Sequence, residues 1–173
     1  MDSEYFAQIG AQSEISSPPV FERAVKESVV LRSNCLIPIP LIRQALNYTC
    51  GVACVQAILR YIGYDFDTRE DVLAYILRAT PEEGTPVDAI VNFLSQVRFE
   101  DECRYKITAT LATNWNIDGL KKELCACNPV ICAIQAWHVN ENGQYQLRHD
   151  YAKEKDNGHY VVAVGYDEKR IFS

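Results

Sequence analysis

The chain has 173 residues, of which 48% are hydrophobic and 23% are charged, and its formal net charge at pH 7 is −6. This length suits one well-buried domain and is too short for two comfortable ones. The negative charge, with no block of Lys and Arg to offset it, argues against a general affinity for nucleic acid or for an anionic membrane.

The sequence does not indicate membrane insertion or a cleaved secretion signal. No apolar run approaches the roughly 18 residues that a membrane-spanning helix needs. The start of the chain, residues 1–5, carries two acidic residues and lacks the basic-then-apolar pattern of a cleavable signal peptide. We therefore expect a protein that is cytoplasmic, or exported without a cleavable signal, and that does not insert into a membrane.

The chain contains seven cysteines, an odd number without regular spacing. In the absence of a secretion signal, this pattern favours reduced thiols over disulfides. A structural zinc site is the competing interpretation. However, Cys125 and Cys127 lack the gap of about two to four residues that paired zinc ligands usually show, and no second pair follows. The sequence therefore predicts no metal site and no cofactor.

Residues 1–40 are predicted to form an N-terminal arm that is partly disordered or loosely docked, because the first half of this segment is rich in Ser, Gln, Glu and Pro. Residues 21–36 are compatible with a weak helix or with an extended segment. Pro38 and Pro40 then force an extended path. The folded domain is predicted to span residues 41–173.

The first helix is predicted to begin at Cys50 and to end at Gly63. Its apolar residues recur at helical spacing: Ala57, Ile58, Tyr61 and Ile62. A helix start gathers unpaired backbone N–H groups and the positive end of the helix dipole, which favours the thiolate form of a cysteine there. The thiolate is the nucleophilic form, so we expect the chemistry at Cys50. Cys54, one turn further on, is interpreted as a packing residue, and the same ordinary role is the alternative for Cys50.

Two further helices are predicted in the first half of the chain. Thr68 is the expected cap of the first, whose inward stripe consists of Val72, Leu73, Ile76 and Leu77. Residues 81–84 break this helix. Thr85 is the expected cap of the next, with Pro86 at its first position and a stripe of Val87, Ile90, Val91, Leu94 and Val97.

The second half of the chain changes to a strand pattern. Strands are predicted over residues 105–110, 130–134 and 159–165, and turns at 142–143, 156–158 and 166–169. One short helix is expected over residues 117–127, with Asn116 as its cap and Leu120 and Leu124 facing inward. Helices followed by antiparallel strands predict an α+β domain.

A cysteine nucleophile needs a general base, a group that orients the base, and donors for the oxyanion. His159 is the best candidate base, because it opens an apolar strand directly after a glycine and can face a pocket at the end of the sheet. Gln44 lies six residues before Cys50. Its side-chain amide can therefore return beside the backbone N–H of Cys50 and form a two-donor oxyanion hole.

Four segments follow one another along the chain: Gln44-x5-Cys50-Gly-x-Ala-Cys54, Glu83-Gly84-Thr85, Asn128-Pro129-Val130-Ile131 and Asn157-Gly158-His159-Tyr-Val-Val-Ala-Val-Gly165. In this order they resemble the papain-like cysteine peptidases. Within that superfamily they are most similar to the bacteriocin-processing (double-glycine) peptidases of bacteria, in a stand-alone form. The resemblance covers residues 41–173.

The resemblance implies a papain-like fold, with N-terminal helices packed on a C-terminal antiparallel β-sheet. It implies a thiol protease site in which Cys50 is the nucleophile, His159 the general base and Gln44 the oxyanion donor. Such a site cleaves a peptide or isopeptide bond of a peptide or protein substrate through an acyl-enzyme. Three residues are predicted to contact the substrate: Gly158, Gly84 and Thr85.

The chain departs from this pattern in the group that orients the histidine. Members of the group usually carry an Asp or Asn in the strand that follows the histidine strand. Asp167 is the nearest acid, but it lies in a predicted turn one strand-length from His159. We expect the sequence to be truncated, with the third member of the catalytic triad beyond Ser173. An orienting group from elsewhere in the chain is the alternative.

Two other functions stay open at this point. The same thiol apparatus performs deamidation, transglutaminase-type transfer or other acyl transfer when the acceptor or the substrate differs. A non-catalytic binding module on the same fold is the second alternative, because the orienting acid is missing. The double-glycine substrate does not carry over, since nothing in the chain resembles the membrane transporter to which those peptidases are fused.

Overall fold

The computed structural model describes residues 5–13, 33–64, 67–97, 105–136, 138–139, 142, 144–146 and 158–173. The helices are α1 (Cys50–Tyr61), α2 (Glu70–Ile76), α3 (Val87–Gln96) and α4 (Ile117–Cys125). The strands are β1 (Tyr5–Ser13), β2 (Cys35–Leu36), β3 (Tyr105–Thr113), β4 (Val130–Gln135), β5 (His138–Val139), β6 (Tyr145–Gln146), β7 (Gly158–Ala163), β8 (Gly165–Tyr166) and β9 (Ile171–Phe172). Helices combined with antiparallel strands confirm the predicted α+β class.

The described strands form three antiparallel groups. The largest is a four-stranded sheet in the order β3-β1-β4-β7, which leaves β7 at one edge. In its register with β4, His159 lies opposite Ile134. The strands β2, β8 and β9 form a second sheet, and β5 and β6 form the hairpin predicted around residues 142–143.

Residues 5–13 differ from the loosely docked arm that the sequence predicts. They form β1, which pairs with β3 over its whole length and with β4 over residues 6–8. The prediction depended on the Ser, Gln, Glu and Pro content of residues 1–19, whereas Tyr5, Phe6 and Ile9 suit a strand. The proposed domain boundary at residue 40 stays a prediction.

Helix α1 follows its prediction closely. It begins at Cys50 and ends at Tyr61, after which Gly63 adopts a φ of 76° and donates its N–H to the carbonyl of Arg60. Glycine adopts this left-handed conformation without a steric penalty. All of residues 51–59 are buried. This helix is therefore enclosed by its neighbours rather than packed along one stripe.

Two predicted caps are wrong. The residue before α2 is Arg69 rather than Thr68, and the residue before α3 is Pro86 rather than Thr85; neither makes a side-chain cap. The inward stripe of α2 is also narrower than predicted. Leu73 and Leu77 are fully buried, but Val72 and Ile76, at 47% and 46% exposed, face outward.

Helix α4 and the final turn match their predictions. The side chain of Asn116 accepts the N–H of Gly119 at 2.8 Å, and Leu120 and Leu124 are buried. The helix ends at Cys125, two residues earlier than expected. Residues 167–170 form the turn between β8 and β9. The predicted turn at 156–158 and the segment at 21–36 lie mostly outside the described residues.

The core consists of two clusters on opposite faces of β7. Tyr160 and Val162 pack against the first cluster, which contains residues of α1, α2 and α3. Ala163 belongs to the second cluster, which contains residues of α4, and Val161 packs against it. Successive side chains of a strand point to opposite faces. One face of β7 therefore meets the first three helices, and the other faces α4.

Candidate active site

Cys50 is the first residue of α1, and its side chain is half-buried. The preceding residue, Thr49, makes no side-chain hydrogen bond to the first turn, and that turn contains no acidic residue. The first backbone N–H groups of a helix have no acceptor within the helix. The start of α1 therefore presents backbone N–H donors next to the Cys50 thiol, and the Thr49 side chain does not bind them.

Gly84 and Thr85 lie against the start of α1. A Cβ atom built on Gly51 would be 2.7 Å from Cβ of Thr85, and one built on Gly84 would be 3.9 Å from the carbonyl oxygen of Tyr48. Gly84 adopts a φ of 70°. The Thr85 side chain is only 2% exposed, and its hydroxyl has no hydrogen-bond partner among the described residues. The substrate contacts of Gly84 and Thr85 stay predictions.

The loop before Cys50 is held by one carboxylate, that of Glu70 at the start of α2. Glu70 accepts the N–H of Ala45 at 2.7 Å and that of Leu46 at 3.3 Å, and it also accepts the hydroxyl of Thr49. Thr49 is completely buried. Three groups of residues 45–49 are thus tied to a single side chain on another helix.

Gln44 is folded back on the same loop. Its side-chain nitrogen Nε2 donates a hydrogen bond to the carbonyl oxygen of Leu46 at 2.8 Å. A primary amide carries two N–H donors, so one donor remains after this contact. The sequence predicts that the amide turns toward Cys50, and that orientation stays a prediction.

Strand β7 packs against α1, the helix that begins at Cys50. Burial is the main cause that raises the pKa of Tyr160, and Cys50, Cys54 and Asp88 raise it further. His159, the residue before Tyr160, is half-buried, and this burial lowers the pKa of its imidazole. A lowered pKa favours the neutral ring, which is the form that accepts a proton.

The pleat of β7 sets a condition on the predicted Cys50–His159 pair. Tyr160 packs on the face that meets α1, so His159 leaves the strand on the same face as Val161. However, β7 is at the edge of the four-stranded sheet in the described part of the chain, and His159 is its second residue. The imidazole therefore reaches the thiol only by passing this edge.

The model of the Peptidase_C39 like family matches residues 36–172. The chain belongs to this family. Membership confirms the predicted resemblance to cysteine peptidases, and it indicates a peptidase-like hydrolase with a peptide or protein substrate. Neither the curated proteins nor the solved structures include a match. Assignment to the bacteriocin-processing group and the stand-alone form stay predictions.

Asp167, the acid nearest to His159 in the sequence, is committed to its own turn. Its carboxylate accepts the N–H groups of Lys169 and Arg170 at 2.8 and 2.7 Å, and the guanidinium of Arg170 at 2.8 Å. The hydrogen bond from the Lys169 backbone, and then that from Arg170, hold the pKa of this carboxyl below its usual value. These contacts agree with the expectation that Asp167 does not orient His159.

The other cysteines differ from Cys50 in their surroundings. Cys54 is 7% exposed, and burial, followed by the effects of Cys50 and Cys132, raises its pKa to about 12. It therefore remains a thiol and packs in the core of this C39-like domain. Cys127 is exposed, and no disulfide joins two of the described cysteines. No group of His, Cys, Asp and Glu in the described ranges could hold a metal ion, and no helix there is long and apolar enough to cross a membrane.

Sequence reasoning missed Glu70. The residue appears in the sequence only as part of a helix start, beside Asp71, and the groups that it binds lie 21 to 25 positions earlier. No periodicity or spacing rule connects positions so far apart. The only available signal is an acidic residue at the start of a helix, which is common at helix N-termini for another reason.

Proposed function

We propose that this protein is a cysteine peptidase of the papain-like type, in which Cys50 is the nucleophile, His159 the general base and Gln44 an oxyanion donor. One observation carries the proposal: α1, which begins at Cys50, packs against β7, the strand that has His159 as its second residue. The family of the chain supports the same class of chemistry.

The proposed reaction has two stages. The neutral imidazole of His159 accepts the thiol proton, and the Cys50 thiolate attacks the substrate carbonyl carbon to form a tetrahedral oxyanion. The oxyanion accepts hydrogen bonds from the Cys50 backbone N–H and from the free N–H of Gln44. His159 then gives its proton to the leaving amine, and the C–N bond breaks. Water, deprotonated by His159, attacks the thioester and releases the acid and the thiol.

Selective labelling of Cys50 tests the proposed pair. Iodoacetamide at mildly acidic pH should alkylate Cys50 faster than the exposed Cys127, because only a thiol beside a base is substantially ionised there. His159→Ala should reduce the rate at Cys50 and leave the rate at Cys127 unchanged. Mass spectrometry of the labelled peptides gives both rates from one sample. Equal rates at the two cysteines in the wild-type protein would refute an activated Cys50.

A non-catalytic binding module is the second candidate. It is favoured by two contacts: Asp167 is held within its own turn, and the Gln44 amide is bonded to Leu46. Peptide binding without turnover, unchanged in Cys50→Ala, would establish this alternative. An acyl-enzyme that appears in the intact mass of the wild type and is absent from Cys50→Ala would exclude it. Partition of that intermediate between water and an added primary amine separates hydrolysis from acyl transfer.

A further inference from the structure

We propose that Glu70 is a positioning residue for the oxyanion hole and that it acts on Gln44 through the loop of residues 44–49. This inference rests on the proposed function, since it assigns to Gln44 the role of oxyanion donor. Glu70 touches neither the thiol nor the substrate carbonyl in the proposed reaction. It affects the position of the Gln44 amide.

Glu70 binds the loop of residues 44–49 directly. Both carboxylate oxygens accept the N–H of Ala45, at 2.7 and 3.0 Å, and one of them also accepts the N–H of Leu46. The same oxygen accepts the hydroxyl of the fully buried Thr49. Hydrogen bonds to an ionised acceptor are stronger than those between neutral groups. The loop is therefore fixed at both of its ends.

Glu70 is connected to Gln44 through one residue, Leu46. Leu46 donates its N–H to Glu70, and its carbonyl oxygen accepts Nε2 of Gln44 at 2.8 Å. The N–H and the carbonyl of Leu46 belong to two consecutive peptide planes that meet at its Cα, so only the φ and ψ angles of one residue separate the group bound by Glu70 from the group that binds Gln44. Glu70 thus sets the position of the group that holds the Gln44 amide.

Glu70 differs in its contacts from an ordinary acidic residue at a helix start. Asp71 occupies the next position in the same turn of α2, but its carboxylate accepts only from Arg69 and from the N–H of Val72 among the described contacts. Both side chains are negative and both lie near the positive end of the helix dipole. Only Glu70 reaches the loop before Cys50, so Asp71 provides a matched control.

Two reactions of Cys50 distinguish positioning from general damage. Acylation by a p-nitrophenyl ester passes through a tetrahedral oxyanion, whereas alkylation by iodoacetamide displaces iodide at a saturated carbon and forms no oxyanion. Loss of one oxyanion donor lowers the rate of the chemical step by about 100- to 1000-fold. Displacement of that donor should cost less, about 10- to 100-fold. A structural collapse would reduce both reactions.

The experiment measures both rates in the full chain for the wild type, Gln44→Ala, Glu70→Ala, Glu70→Gln, Asp71→Ala and the Gln44→Ala/Glu70→Ala double variant. We expect Glu70→Ala to slow acylation without slowing alkylation, and Asp71→Ala to change neither. The acylation rate of Glu70→Gln should lie between those of Glu70→Ala and the wild type. Its amide keeps one oxygen that accepts a hydrogen bond but places an N–H donor against the N–H groups of the loop. In the Gln44→Ala background, the loss of Glu70 should add little, since residues that act through one another are not additive.

Three results would overturn the assignment. Acylation rates of Glu70→Ala and Glu70→Gln equal to that of Asp71→Ala would remove the positioning role while leaving the proposed function intact. Additive effects in the double variant would show that Glu70 acts independently of Gln44. A wild type that is acylated no faster than Cys50→Ser would refute the proposed function, and the role of Glu70 with it. If Glu70→Ala does not fold, the Glu70→Gln comparison with Asp71→Asn decides the question.

Discussion

Gly51, the second residue of α1, leaves no room for a side chain. A Cβ atom at this position would lie 2.7 Å from Cβ and 2.9 Å from Oγ1 of Thr85, and 3.2 Å from Cδ1 of Ile90. Thr85 is 2% exposed, and its Cβ is fixed to the backbone. The methyl group of Gly51→Ala must therefore displace the loop at Gly84 and Thr85 or the start of α1 itself.

The size of the effect follows from two opposing contributions. Overpacking of a buried site costs about 1–3 kcal/mol, and the change from Gly to Ala in a helix recovers up to about 1 kcal/mol. We therefore expect Gly51→Ala to lower the free energy of unfolding by about 1–2 kcal/mol. For a domain of this size, the melting temperature should fall by about 2–8 °C.

Urea unfolding of Gly51→Ala and Gly119→Ala, followed by circular dichroism, provides the test. Gly119 also lies in the first turn of a helix, but a Cβ there would be 3.4 Å from Oδ1 of Asn116 and 3.7 Å from the nearest atom of Trp115. We expect Gly119→Ala to leave stability unchanged or to raise it by up to about 1 kcal/mol. Equal midpoints for the two variants would refute the close packing of Thr85 on α1.

Two further changes test buried groups of the same region. Thr85→Val replaces a buried hydroxyl that has no partner in the described part of the chain, so we expect stability to rise by about 1 kcal/mol, and a lowered urea midpoint would contradict this. Burial lowers the pKa of His159 from its ordinary 6.5. As the pH falls, the ring therefore takes up a proton at a higher pH in the unfolded chain than in the folded one. Its contribution to the free energy of unfolding is complete above pH 6.5 and decreases as the pH falls below that value. His159→Gln should flatten that decrease in urea midpoints measured across the same range, and an unchanged slope would exclude His159 as its source.

The helices and the strands β3, β4 and β7 could be predicted because their signals are local. The apolar spacing after Cys50 and the glycine at position 63 define α1 without any reference to the rest of the chain. The side-chain cap at Asn116 is likewise a contact between residues three positions apart. Such features depend on the sequence within one or two turns, which a reader of the sequence can see.

The errors arise where a tertiary contact replaces the local one. Thr85 has the position of a helix cap, but its side chain packs against Gly51 rather than bonding to α3. The Glu70 contacts are invisible to local rules for the same reason, since they join two segments more than 20 residues apart. Helix position, strand position and spacing already suggest Cys50, His159 and Gln44 as candidates, and the resemblance selects the same residues. The pleat of β7 and the bond between Gln44 and Leu46 needed coordinates.

The alternation along β7 makes the spacing between its first residues critical for evolution as well as for folding. Deletion of one residue ahead of Tyr160 would shift every following side chain to the other face of the strand. Tyr160 and Val161 would then each face the core cluster that the other contacts. Insertions and deletions around the site should therefore be confined to the connection before Gly158.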